Sequence, residues 1–385
     1  MPVVAQVTQI LSGLLPAGGA ALHEPSFSGN EWEYVKDCLD TGWVSSAGAY
    51  VDRMEGMLAR ITGAGHAIAT VSGTAALHTC LMLAGVERDD EVIIPALTFV
   101  ATANAVAYTG AVPHFADGAE TTLGLDPAKL DAHLGAVTEG SDGVCRNKTT
   151  GRPIRAVVCM HTFGHPVDLD ALVGVCERFN LILIEDAAQS LGSTYKGQHT
   201  GTTGRLAALS FNGNKTVTTG GGGAILTNDA TLAAAAKHLT TTARTPHPWE
   251  MAHDRVGYNC RLPNINAALG CAQLEQLPEF VERKRRLAET YRHAFADTAG
   301  LNLFTEPANC HSNYWLNAIV LDKDHAHLRD SILAVTTDAG FQARPAWTPM
   351  HQLAMYEDCP RMDLSVTESL AARIINIPSS VVLSA

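Results

Sequence analysis

Between residues 50 and 240, short runs of β-branched and other apolar residues alternate with stretches of helical spacing. The pattern predicts strands at 67–71, 91–94 and 112–115, with helices at 74–83 and 101–108 between them. The runs at 156–160 and 181–184 are apolar without alternation, the signature of central strands covered on both faces, and 168–179 between them has helical spacing. Residues 207–211 and 223–227 read as a further strand and a hairpin-like return around Lys215. Strand–helix repetition of this kind implies an α/β fold with a mainly parallel, helix-covered central sheet.

The texture changes after Pro263. Residues 265–295 form one long helical stretch, in which Pro278 marks an expected kink or break and 282–286 (Glu-Arg-Lys-Arg-Arg) an expected solvated face. A strand at 315–321 and a helix at 325–339 complete a smaller α+β region, with residues 23–45 expected to pack against it. The division expected is therefore a large domain over 46–250, with 1–45 and 251–385 forming the small domain and interface segments. The polar, glycine-rich stretch 140–155 reads as a surface loop.

Composition narrows the function. The 385 residues are 46% hydrophobic and 17% charged, as in globular proteins. A net charge of −12 without any dominant basic cluster argues against a nucleic-acid surface. No stretch approaches the roughly 20 apolar residues of a membrane span, and the N-terminus lacks the charged and apolar regions of a signal peptide. The nine cysteines are scattered without CxxC pairing, which fits buried thiols in a reducing cytoplasm. The sixteen histidines are spread over separate segments of the chain, and no metal site is expected.

Candidate chemistry gathers at four places. Lys215 stands among uncharged polar residues and is followed by Gly220–Gly223, a setting in which a buried lysine can be partly neutral and nucleophilic. Asp186 ends the strand at 181–184, where ligands of α/β sheets collect, and could pair with a protonated ring nitrogen. Its neighbour Glu185 should point to the other face and be structural, while Gln189 could bond a ring hydroxyl. Ser72-Gly73-Thr74 follows a strand and opens a helix, as an anion site would, and Ser210 could add a hydroxyl there. Phe99 could stack on a flat ring, although taken alone it reads more readily as a core residue.

The phrases SGTAAL, PALTFVATANAV, HTFGHPVDLD, IEDAAQSLGS, SFNGNKTVTTGGGG and GYNCRLPNINAALG, in this order, resemble the DegT/DnrJ/EryC1/StrS group of fold-type I pyridoxal-phosphate aminotransferases. The resemblance covers nearly the whole chain. It implies pyridoxal 5′-phosphate as cofactor and Lys215 as the residue joined to it and as proton carrier. Asp186 would meet the ring nitrogen, Gln189 the ring hydroxyl, Phe99 the ring face, and Gly73, Thr74 and Ser210 the phosphate. Asn259 matches a residue that reaches the phosphate of a neighbouring subunit, which implies a homodimer, and the segment holding Arg344 and His351 matches one lining the sugar site.

The wording is nearer still to aminotransferases of the bacillosamine and legionaminic acid routes. That implies transfer from an amino acid, L-glutamate being expected, to C4 of UDP-4-keto-6-deoxy-N-acetylhexosamine. A GDP-linked or other keto sugar is the alternative, and a non-catalytic cofactor-binding regulator a more distant one. Gly221 departs from the Glu or Asp of many relatives. Lys215 argues against the related dehydratases, which carry His there. The absence of GxGxxG after the first strand argues against a nucleotide-dependent oxidoreductase.

Overall fold

The computed structural model describes residues 3–141 and 143–384. Residues 1, 2, 142 and 385, which fall in the expected segments 1–45, 140–155 and 251–385, lie outside them. Three helices lead: α1 (Val3–Leu14), α2 (Glu31–Thr41) and α3 (Ala49–Thr62). The alternating region follows as β1 (His66–Thr70), α4 (Gly73–Leu83), β2 (Glu91–Pro95), α5 (Val100–Tyr108), β3 (Val112–Ala116) and α6 (Pro127–Val137). It continues with β4 (Ile154–Met160), α7 (Leu169–Arg178), β5 (Ile182–Asp186), β6 (Leu206–Ser210), β7 (Gly223–Thr227) and α8 (Ala230–Thr240).

These strands form one seven-stranded sheet in the order β1-β7-β6-β5-β4-β2-β3. Pairing is parallel except where β7 lies antiparallel to both β1 and β6. Successive residues feed opposite faces. Ile68, Ile94, Val158, Ile184, Ala208 and Ile225 pack towards α4 and α5. On the reverse face, Ala69, Leu209 and Leu226 meet α3, whereas Ile93, Val157 and Leu183 meet α6 and α7. Burial on both faces is why these strands are apolar throughout.

Helix α9 (Asn264–Phe295) runs 32 residues, a rise of about 48 Å. It continues through Pro278 as one helix, contrary to the expected break. Its first half packs with α3 on the large sheet, and its second half with α1 and a small sheet. Anchorage in two cores offsets the roughly 3 kcal/mol of an internal proline. The small sheet comprises β8 (Leu301–Leu303), β9 (Asn317–Leu321), β10 (Arg344–Pro345) and β11 (Ile374–Ile377), all antiparallel in the order β8-β9-β11-β10. Helices α10 (Arg329–Asp338) and α11 (Ser365–Arg373) accompany it.

Residues 31–41 form α2, which lies along α9 and holds Glu31 against Gln273 and Gln276 there. Two expectations fail in instructive ways. The stretch 140–155 is built around a hairpin, 138–141 with 144–147, that seals the buried Glu91. Asn147 Nδ2 and Thr150 Oγ1 donate to that carboxylate at 2.9 and 2.6 Å. Within 282–286, Lys284 is fully buried rather than solvated. It falls on the apolar stripe Leu277, Phe280, Leu287 and Tyr291, and its ammonium donates to the carbonyls of Trp315 (3.2 Å) and Ser379 (2.5 Å).

Candidate active site

At the carboxyl ends of the central strands a cavity of about 350 Å³ opens between the large sheet and the segments carrying Trp315 and Trp347. Its floor is set by two close backbone approaches. A Cβ on Gly73 would lie 2.8 Å from Ser210 Cβ, and one on Gly223 would lie 2.5 Å from the Ser72 carbonyl carbon. Only glycine lets the start of α4, the end of β6 and the start of β7 meet here.

Ser72 caps α4 in an extended conformation, its Oγ accepting from Ala75 N at 3.1 Å. The amides of Gly73 and Thr74 have no acceptor among the described residues, so two N–H groups and the helix dipole face the cavity. Ser210 Oγ stands against Gly73 and also lines the space. This corner is suited to a phosphate.

Opposite lies Asp186, 7% exposed, the last residue of β5. Its Oδ2 accepts from Thr102 Oγ1 at 2.8 Å and its Oδ1 from Ala188 N at 3.2 Å. Burial pushes its pKa up, against the pull of the Thr102 bond, the Ala188 amide and the charges of Lys215 and His161. Glu185 points the other way. It takes the amides of Gly201, Thr203 and Gly204 and the ring of His161, which together overcome burial and hold it below the usual carboxylate range.

Lys215 sits in the turn between β6 and β7. Burial lowers its amine to about 8, with Asp186 opposing. Its Nζ forms no hydrogen bond among the described residues. It rests 3.9 Å from the centroid of the Trp315 ring, whose indole N–H donates to Asn214 O at 2.7 Å. An amine without a protein acceptor, over an aromatic floor and with a lowered pKa, has the setting that an amine nucleophile requires.

Gln189 lines the same cavity. Its Oε1 accepts from Phe163 N at 2.8 Å, leaving its NH₂ to donate to a ring oxygen. Phe99, 50% exposed, offers a ring face to the cavity and stands 6.5 Å from Trp347. Lysine, carboxylate, amide, ring and phosphate corner thus share one space, and their chemistry fits pyridoxal phosphate at each end.

The structure brings together Gly73, Thr74, Phe99, Asp186, Gln189, Ser210 and Lys215. Three other expected residues do not line this cavity. Asn259 is exposed, its Oδ1 taken by Arg261 at 3.0 and 3.2 Å. Arg344 is exposed on the short edge strand β10 and donates to Ala343 O. His351 is buried against Glu368, with Nε2 to Oε1 at 3.0 Å. The wall residue from that segment is Trp347. Sequence reasoning missed Trp347, Trp315 and Thr102. For the first and last of these the signal was proximity to Arg344 and Phe99; for Trp315 there was none.

Comparison with known proteins gives the same picture. The family model described as the DegT/DnrJ/EryC1/StrS aminotransferase family matches residues 25–385. The chain is similar to GDP-perosamine synthase of Escherichia coli O157:H7, 36% identical over 358 residues, covering 93% of this chain and 92% of that one. It is 35% identical to GDP-perosamine synthase of Caulobacter vibrioides, over 92% of this chain and 91% of the other. Among solved structures it resembles DesI crystallised in the presence of its TDP-sugar product. There the TM-score is 0.80 and the identity 30%, over 96% of this chain and 91% of that one. With its lysine, carboxylate and phosphate corner in one cavity, the chain belongs to the DegT/DnrJ/EryC1/StrS aminotransferase family and is a pyridoxal-phosphate-dependent transaminase.

Proposed function

We propose that this transaminase moves an amino group from an amino acid, L-glutamate in the simplest case, to C4 of a GDP-linked 4-keto-6-deoxy sugar. The observation that carries the chemistry is the convergence of Lys215, Asp186, Gln189 and the Ser72–Thr74 amides on one cavity. The relatives support the nucleotide: two proteins named for a GDP-linked product align over more than nine-tenths of the chain. They favour GDP over the UDP-linked N-acetylhexosamine that the motif wording implies.

Bound pyridoxal phosphate supplies an aldehyde that carries the amino group and a ring that takes up electrons. Gly73, Thr74 and Ser210 would hold the phosphate. Gln189 Nε2 would donate to the ring oxygen, and Phe99 would cover one ring face. An ionised Asp186 carboxylate would accept from the protonated ring nitrogen and keep it charged, while Lys215 Nζ would anchor the cofactor. With its pKa lowered to about 8, the free Lys215 amine would be a base of suitable strength to take a proton from the substrate carbon and return it one position away. Trp347 and Trp315 wall the side the sugar enters and exclude water.

In this reading the active unit is a homodimer, and Asn259, turned away from its own cavity, reaches the phosphate corner of the neighbouring copy. Arg344 and His351 belong to the segment framing the sugar, with Trp347 as its contact.

The test is to supply purified holoenzyme and glutamate with GDP- and UDP-4-keto-6-deoxy sugars and identify products by mass and NMR. A 4-amino GDP-sugar is expected. An amine formed only from the UDP substrate overturns the nucleotide, and no amine from either overturns the acceptor class.

A further inference from the structure

Threonines inside helices usually bond back to the carbonyl four residues earlier. Thr62, Thr79, Thr240 and Thr336 all do so here, at 2.7–2.8 Å. Thr102, in the first turn of α5, does not. Its hydroxyl crosses 84 residues of sequence to Asp186 Oδ2 at 2.8 Å. Behind it Thr98 Oγ1 lies 2.9 Å from Thr102 Oγ1 and 3.1 Å from Met160 Sδ. Both threonines are fully buried.

The proton inventory gives the chain a direction. An ionised carboxylate can only accept, so the Thr102 hydroxyl donates to Asp186. Thr102 Oγ1 can then accept the single Thr98 proton, for which a hydroxyl oxygen at 2.9 Å is a stronger acceptor than the Met160 thioether at 3.1 Å, and this polarises the Thr102 O–H towards the carboxylate. The other groups facing Asp186 are Lys215 from the β6–β7 turn, His161 after β4, and the thiols of Cys80 on α4 and Cys159 on β4. Lys215 and His161 both favour the ionised carboxylate, and in the proposed function the Lys215 amine is engaged with the cofactor.

We propose that Thr102, backed by Thr98, is a positioning residue that keeps the Asp186 carboxylate ionised and in one orientation for the cofactor's ring nitrogen. The role assigned to Asp186 rests on the function proposed above, but the Thr102–Asp186 coupling can be read without cofactor. A carboxylate whose folded pKa lies above its unfolded value costs stability once pH exceeds the unfolded value, ~3.9. Removing the Thr102 donor raises the folded value further. The penalty should therefore be absent at low pH and grow as pH rises through the acid range to neutrality.

The experiment compares thermal unfolding of cofactor-free wild type, Thr102→Val and Thr102→Ser from about pH 4 to pH 8, then titrates the visible band of each holoenzyme. The expected result is a Thr102→Val deficit that widens with pH and is restored by Thr102→Ser. In the holoenzyme the band's pKa should move, and kcat should fall on the order of tenfold while KM holds, the factor a hydrogen bond to a charged group corresponds to. Thr98→Val should move each readout the same way by less, and serves if Thr102→Val does not fold. A deficit constant with pH, or Thr102→Ser behaving as Thr102→Val, overturns the proposal. A protein that binds no cofactor but keeps the pH-dependent deficit contradicts the function while leaving the coupling intact.

Discussion

Among the described residues, burial lowers the amine pKa of two lysines, and they have opposite lives. Lys215 reaches into the cavity with its amine lowered to about 8, without a hydrogen-bond acceptor among the described residues and with an indole ring beneath it. Lys284 is lowered to about 7 in the seam between the two cores, and its ammonium is held by two carbonyls. Trp315 joins them: its ring faces Lys215 and its carbonyl accepts from Lys284. A depressed pKa alone does not mark a catalytic lysine. What separates them is that one amine is unpartnered beside empty space and a carboxylate, while the other is spent on backbone oxygens.

The comparison can be broken most sharply by deletion. Lys215→Ala should abolish amine transfer, a loss on the order of 10⁴-fold or more in kcat, because nucleophile and proton carrier vanish together. Lys284→Met, filling a similar volume, should lower kcat by less than about tenfold, through loosening of Trp315 alone. Equal losses would show that the two lysines act as one unit. Asp186→Asn should fall between, at roughly 10²–10³-fold in kcat, since it removes a preorganised charge but leaves the amine in place.

Stability separates the pair again. The folded Lys284 value lies below the unfolded one of ~10.4, so its penalty is full below about pH 7 and is relieved as pH rises towards the unfolded value. Wild type should therefore gain thermal stability from about pH 7 to pH 10, and Lys284→Met should flatten that rise. A smaller effect should appear in the rate at which cofactor joins the apoprotein. That rate should climb with pH and level off above about 8 as Lys215 loses its proton, which rapid-mixing absorbance would follow. Lys284→Met should leave that midpoint in place.

Both lysines were visible in the sequence, but only one could be understood there. Lys215 is flanked by hydroxyls and glycines with Asp186 upstream, so local chemistry identified it. Lys284 hides in the run Glu-Arg-Lys-Arg-Arg, where charge density suggests solvent. The helical spacing from Leu277 to Tyr291 would have placed it inside, but charge was weighed above period. The strands were legible because burial on both faces makes them apolar throughout. Helices α1, α2 and α3 were not assigned, since their packing partner α9 lies more than 200 residues away in sequence. Thr102 shows the same limit. Its role depends on a bond to a strand that arrives 84 residues later, and nothing local distinguishes it from a helix threonine. Arg344 and His351 show the reverse: of the segment they belong to, Trp347 is the side chain that lines the cavity.

The most direct measurement is the address of the covalent bond. Holoenzyme is reduced with borohydride, digested, and the cofactor-bearing peptide is located by mass spectrometry. The account requires the label on the peptide containing Lys215, and its loss in Lys215→Ala but not in Lys284→Met. A label on Lys284, or one that persists after Lys215 is removed, would contradict it.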